Sequence, residues 1–287
     1  MKDFRKSCVL IIAVTLVSAA LPYSANAQEE TSIHPYLSEK FFASVGIFRP
    51  DQKLNLGLEA SVTISNPGPT PYVDFAQSFG FDGSQSTGSA EFGWRFGEKW
   101  MLRGQYFRVD NESRATLEED TEWGGYVFNQ GTSVGVGTDF QITRLFFGRK
   151  FHSTTSREFG LGLGLHVLDI SAFINGNATV DGIDVGFRQE RASISQPLPN
   201  LGAWYVHAFS PKWVATMRFD WLQARIDTYD GRIINAAATV AYAVNDHFGI
   251  GLAYNYFEID LKVDESDWNG RIISRFSGPY ISLTGYW

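Results

Sequence analysis

The chain has 287 residues, 44% of them hydrophobic, 15% aromatic and 19% charged, with a formal net charge of −7, 28 glycines and one cysteine. It is long enough for one large domain or two small ones. It is too apolar and aromatic to stay disordered, and acidic enough that nucleic acid is not an expected partner.

The first 27 residues read as a secretory signal peptide. Lys2, Arg5 and Lys6 make a positive leader, Cys8 to Leu21 an apolar run, and Ala25-Asn26-Ala27 a small-x-small cleavage site before Gln28. A membrane anchor needs about 18 to 20 apolar residues, and this run is shorter and interrupted by Thr15, Ser18 and Pro22. Cleavage also removes Lys2, Asp3, Arg5 and Lys6, taking the net charge from −7 to −9. The lone Cys8 goes too, so a disulfide scaffold or a cysteine-ligated zinc site is excluded in the expected mature chain. The expected organisation is a signal peptide over 1–27, a short polar lead over 28–39 and one domain over 40–287.

From Phe41 onward the chain is a series of segments, expected to be about 9 to 13 residues each, that alternate faces. Gly88, Ala90, Phe92, Trp94 and Phe96 oppose Ser89, Glu91, Gly93 and Arg95. Trp100, Leu102, Gly104 and Tyr106 oppose Met101, Arg103, Gln105 and Phe107. Trp213, Ala215, Met217, Phe219 and Trp221 oppose Thr216, Arg218 and Asp220, and Phe248, Ile250, Leu252, Tyr254 and Tyr256 oppose Gly249, Gly251, Ala253 and Asn255. Period two is the strand signature.

A soluble sandwich also alternates, but its polar face is rich in Lys, Glu and Thr. Here the polar face is mostly small residues with a few charges, which suits the crowded interior of a narrow barrel. The apolar face carries aromatics at segment ends (Trp94, Trp100, Trp213, Trp221, Phe248), as the two girdles of a transmembrane barrel do. Trp213 and Trp221 are separated by roughly 20 Å of height at strand rise and tilt, against an apolar band of about 25 Å. Most of the aromatic content is therefore expected to face lipid rather than a large buried core.

Three tight polar turns flanked by interfacial side chains, at 97–99, 210–212 and 245–247, are expected on the periplasmic side, with a fourth at 152–157. Longer acidic connections, Asp110 to Gly137 and Asp260 to Asn269, are expected outside, the asymmetry of outer-membrane barrels. Their carboxylates could bind Ca²⁺ or bridge to lipopolysaccharide, but solvated loops that keep the exposed surface soluble are the expected reading. Strands near 86, 99, 138, 158, 200, 213, 232, 248 and 275 make nine, and single-chain bacterial barrels have an even number. Phe41 to Ile64 as one strand bent at Pro50 gives ten, with Pro67 to Ser84 as a loop. Splitting that stretch and adding Tyr72 to Phe81 gives twelve, and eight is the remaining alternative.

The closing residues Tyr280 to Trp287, with Ile281, Leu283 and Trp287 alternating, resemble the C-terminal strand by which Gram-negative outer-membrane β-barrels are recognised for assembly. The departure is Gly285, where a larger apolar side chain is usual. The resemblance covers about Phe41 to Trp287 as architecture, and is closest to uncharacterised barrels of about ten strands. It implies an all-β antiparallel transmembrane barrel in the outer membrane, contact with outer-membrane lipids and lipopolysaccharide, and delivery by the barrel-assembly machinery. It names no activity, and no cofactor or metal is expected.

Parity assigns Glu91, Arg95, Arg103, Gln105, Arg144, Arg218, Asp220, Asn235, Thr239, Asn255, Tyr280, Ser282 and Thr284 to the lumen. Arg144 is the least regular because its strand mixes faces. Such charges either pair into a structural plug or line a narrow pore whose Arg103, Arg144 and Arg218 set selectivity. Catalysis at an outer rim has one candidate, His166, on the face of Gly160, Gly162 and Gly164. Asp169 lies on the opposite parity, and a hydrogen-bonded structural histidine is the competing reading. The glycine series leaves room for bulky lumenal neighbours and is no dinucleotide fingerprint, because no helix follows. The expected function is an outer-membrane barrel that is structural or a narrow porin-like channel for small solutes. The alternative is an enzyme or ligand binder at the extracellular rim acting on lipid or peptide.

Overall fold

A strand in lipid has no water to satisfy its backbone, so every edge must pair and the sheet must close. The computed structural model describes residues 33–58, 72–74, 86–117, 120–123, 125–226, 229–264 and 269–287; the expected signal peptide and Cys8 lie outside them. A four-residue helix, α1 (Pro35–Ser38), precedes β1 (Phe41–Phe48), β2 (Asp51–Leu58), β3 (Tyr72–Asp74), β4 (Thr87–Phe96), β5 (Trp100–Thr116), β6 (Thr121–Trp123) and β7 (Tyr126–Phe128). Then come β8 (Ser133–Ser153), β9 (Arg157–Val180), β10 (Ile183–Ala208), β11 (Trp213–Ile226), β12 (Tyr229–Ala243), β13 (Phe248–Asp264) and β14 (Asn269–Tyr286). Ten antiparallel strands close the wall in the order β1-β4-β5-β8-β9-β10-β11-β12-β13-β14, and β14 returns to β1. No described helix is long and apolar enough to cross a membrane.

The N-terminal strand settles the count at ten. β14 pairs with β1 from Tyr286 to Tyr280 and continues in the same register onto β2, from Asp51↔Ser277 to Leu58↔Gly270. Phe41 to Leu58 is thus one strand interrupted at Pro50, which has no N–H to give. Opposite that bend lies Gly278, where a Cβ would sit 2.1 Å from the Arg49 carbonyl oxygen, so only glycine lets β14 pass. Tyr72–Asp74 pairs with β2 without entering the wall. The rest of the expected Pro67–Ser84 loop, and of Tyr72–Phe81, lies outside the described residues.

The short turns share one local device. Ser210 Oγ accepts from the N–H groups of Lys212 and Trp213, and Asn245 Oδ1 accepts from those of His247 and Phe248. The strands themselves run longer than expected, reaching 21 residues in β8, 24 in β9 and 26 in β10. The supposed loop from Asp110 to Gly137 is strand to Thr116 and again from Ser133, with the β6–β7 hairpin between, and β13 and β14 extend to Asp264 and Asn269. At the far tip of β9–β10, Asp181 and Gly182 both have positive φ, 50° and 76°, the backbone of a tight two-residue hairpin turn.

The extra length follows from an inversion of side-chain polarity partway up each long strand. In β9 the outer face reads Leu161, Leu163, Leu165, Val167 and then Asp169, Ser171, Phe173, Asn175, while the inner face reads Gly160, Gly162, Gly164, His166 and then Leu168, Ile170, Ala172, Ile174. Below the switch the barrel is apolar outside, and its interior mixes buried charges with a cluster of Phe42, Met101, Phe146 and Trp204. Above it the wall stands in water around an apolar filling of Phe48, Phe107, Phe140, Ile142, Ile233, Phe257 and Phe276. This corrects the expectation that the hydrophobic content measures little core. It also explains why the Arg144 strand mixes faces: β8 changes sense between Arg144 and Ile142.

Candidate functional site

The interior is stacked in three levels. At the periplasmic end α1 lies inside the mouth with His34 and Tyr36 buried. The Pro35 ring presets the first helical turn, and His34 Nδ1 caps it by accepting from the Tyr36 N–H at 3.0 Å. The Tyr36 hydroxyl bonds Arg103, whose guanidinium pairs with Glu91 at 3.1 Å. The Arg95 guanidinium lies 5.1 Å from the Tyr36 ring centre. Glu158 draws in Arg95 at 3.4 Å, Lys150 at 3.8 Å and the Trp204 indole N–H at 2.8 Å. Burial holds the His34 imidazole down at about 4, so it is neutral at ordinary pH.

The middle level is a hydrogen-bonded chain. Arg144 donates from Nε and Nη2 to the two oxygens of Asp220 at 2.7 Å each, with both side chains at 1% exposure or less. Asn235 Nδ2 lies 3.3 Å from Asp220 Oδ2 and 3.1 Å from His166 Nε2, and His166 Nδ1 lies 2.9 Å from Asn200 Oδ1. With its proton on Nδ1, the imidazole donates to Asn200 and accepts from Asn235, so both nitrogens are occupied. The Arg144 guanidinium also covers the Phe146 ring at 4.6 Å. The third level is the apolar filling, closed at the top by Leu117 and by Phe128 from the β6–β7 hairpin, both buried.

Of the residues that parity assigned to the lumen, Arg95, Arg103, Gln105, Arg144, Arg218, Asp220, Asn235, Ser282 and Thr284 are buried inside. Glu91, Thr239 and Asn255 are half-buried on the same face. Register brings Glu91, Gln105, Arg144 and His166 into one row across four strands. Asn255 and Thr239 stand apart from the network. Asp169 sits on the outer face of β9, away from His166, which is sealed beneath the apolar level. Trp94, Trp100, Trp213, Trp221 and Phe248 are all exposed on the outer wall, as are Ile281, Leu283 and Trp287. Phe41 and Trp287 exchange backbone hydrogen bonds of 2.7 and 3.0 Å at the closing seam.

Sequence reasoning missed His34, Tyr36, Glu158, Asn200 and Trp204. The parity that found His166 also places Glu158 inside, whereas α1 lies in a lead too short to show periodicity. The room left by the glycines is filled by these residues: a Cβ on Gly160 would lie 2.1 Å from the Trp204 ring, and one on Gly164 2.5 Å from Asn200 Oδ1. No three His, Cys, Asp or Glu side chains among the described residues converge to hold a metal ion; Glu118, Glu119, Glu265 and Asp267 of the acidic connections lie outside those residues.

An outer wall that is apolar and girdled by aromatics, closed by ten paired strands around a filled lumen, defines a multi-pass β-barrel of the outer membrane. No family model matches the chain and no curated protein matches it. Among solved structures it is similar to the outer membrane protease OmpT from Escherichia coli, with a TM-score of 0.59 at 10% identity over 91% of this chain and all of that one. It is also similar to the toluene transporter TodX from Pseudomonas putida, with a TM-score of 0.34 at 8% identity over 88% and 91%. The attachment invasion locus protein Ail of Yersinia pestis gives 0.27 at 11% identity over 85% and 98%. At 10% identity the likeness to OmpT is one of fold alone.

Proposed function

We propose that this chain is a closed-lumen barrel with a structural role in the envelope, and that it does not conduct solutes through its centre. The observation that carries this reading is the succession of three packed levels: α1 with its arginines, the Arg144–Asp220–Asn235–His166 chain, and the aromatic filling beneath Leu117 and Phe128. A selectivity arginine must meet water, whereas the Arg144 and Asp220 side chains are at most 1% exposed and bonded to each other. His166 has neither a free nitrogen nor a path to the rim, which removes support from the rim-enzyme reading. The partners of such a barrel are outer-membrane lipids and lipopolysaccharide along the girdled wall, and the assembly machinery at the strand bearing Ile281, Leu283 and Trp287. Planar-bilayer recording tests the reading. Refolded protein, with insertion verified by a heat-modifiable gel shift, should leave the current at the protein-free baseline, and reproducible unit steps would overturn the proposal.

A further inference from the structure

The outer wall above the apolar band carries a trough that the structural role does not use. Register aligns two rows of outward side chains across β5, β8, β9 and β10: Glu112, Gly137, Phe173, Arg191 and, beside it, Arg114, Gly135, Asn175, Gln189. The two glycines make the depression. A Cβ on Gly137 would lie 2.3 Å from the Phe173 ring and one on Gly135 2.4 Å from Asn175 Oδ1, so ring and amide lie down over bare β8 backbone as a floor. The hollow measures about 500 Å³. Three strand spacings give it a length of roughly 14 Å, enough to seat two or three linked sugar rings.

Its chemistry mixes cations, amides and one aromatic ring. The Arg191 guanidinium lies 5.2 Å from the Phe173 ring centre and bonds Ser171 Oγ at 3.1 Å. Neither Arg191 nor Arg114 has a carboxylate partner among the described residues. Five other arginines of the upper outer wall are tied to acids, Arg108 to Asp139, Arg225 to Asp230, Arg232 and Arg275 to Glu258, and Arg271 to Asp260, whereas Arg49, Arg149 and Arg157 lower on the wall are tied to none among the described residues. Among the residues lining the trough, two guanidiniums without a carboxylate partner stand against the single carboxylate of Glu112, a net positive charge. The amides of Asn175 and Gln189 offer a donor and an acceptor each, suited to neighbouring hydroxyls, and the guanidiniums to a carboxylate or phosphate.

We propose that this trough binds a carboxylate- or phosphate-bearing saccharide, supplied by the core sugars of lipopolysaccharide in the same leaflet. Height decides the source. Phe173 stands six residues beyond Val167, the last apolar outward residue of the band on β9. That places the trough roughly 15 Å above the acyl region, level with sugars rather than with lipid tails.

The full chain is refolded into vesicles whose outer leaflet carries either lipid A alone or lipopolysaccharide bearing its acidic inner-core sugars. Hydrogen exchange is followed in peptides covering 133–138 and 171–176, with 213–221 as the internal control. Core-bearing vesicles should slow exchange in the two trough peptides and leave the control unchanged. Arg114→Glu with Arg191→Glu, two exposed positions that should keep the heat-modifiable shift, should raise the half-protecting lipopolysaccharide content about tenfold or more, the loss of at least one charge-assisted contact. Equal protection by lipid A alone, or protection that survives both reversals, overturns the proposal. Protection of the trough by free glucuronic acid but not by core-bearing vesicles overturns the assignment to the membrane's own sugars.

Discussion

Replacing Asp220 by alanine should destabilise the barrel more than any other single change in the lumenal network. Arg144 is held by two bonds of 2.7 Å to a carboxylate that is itself fully buried, with the Phe146 ring centre 4.6 Å from the guanidinium and Arg218 and Arg103 as the other cations acting on it. Without Asp220 the guanidinium keeps its charge in a site closed to water, and breaking one side of such a pair costs about 3 to 5 kcal/mol. Asn235 also loses one of its acceptors, which adds about 1 kcal/mol. Removing both partners behaves differently. Arg144→Met with Asp220→Leu removes both members of the pair and leaves Arg218 as the nearby buried guanidinium, and buried pairs replaced by apolar residues of similar volume are often neutral or more stable. The assay is equilibrium urea unfolding in phospholipid vesicles, followed by tryptophan fluorescence and by the heat-modifiable gel shift, for wild type, both single variants and the double. The single variants should lose several kcal/mol and the double should recover most of it. A single Asp220→Ala variant within about 1 kcal/mol of wild type, or a double variant that loses the sum of the singles, would show that the pair is not the closed, dry contact described here.

Two further predictions test the ends of the barrel wall. In the docked helix burial lowers the His34 pKa from its ordinary 6.5 to about 4, so the ring is neutral above that pH. Docking of α1 should therefore be at full strength above pH 6.5 and weaken progressively as pH falls from there through 4. Protease cleavage after Lys40 measured against pH reads this, and a His34→Gln variant should flatten the profile; a flat wild-type profile refutes it. On the outer wall, Leu163→Arg should cost about 2 to 4 kcal/mol and Ser195→Arg, above the polarity switch and opposite Asp169, about 0 to 1. Equal costs in vesicle unfolding would mean that the apolar band has been misplaced.

Much of the fold was legible because a strand's period of two survives any lateral context. Nine segments, the periplasmic turns and the bent Phe41 strand could be read from alternation and parity. Strand ends could not, because length was inferred from where the apolar outward face stopped. In β9 that face stops at Val167, yet the strand continues to Val180 with its polarity reversed. Alternation persists through Asp169, Ser171 and Asn175, so the sequence carried the signal, but an outward polar residue reads as a loop to anyone expecting lipid on that side.

The same reversal governs how much of the site could be read. Inside the band, charge on the inward face is conspicuous, and Arg103, Arg144, Arg218 and Asp220 stand out from their small neighbours. Which of them pair is a matter of register between distant segments, and Arg144 meets Asp220 across 76 positions of chain. Above the switch the informative face is the outward one, where Arg114 and Arg191 look like ordinary solvated charges. They become distinctive only when four strands are laid side by side and two glycines are found between them. The trough arginines, like the lumenal pair, acquire their meaning from register, because Arg114 and Arg191 become neighbours only when β5, β8, β9 and β10 set Glu112, Gly137, Phe173 and Arg191 in one row.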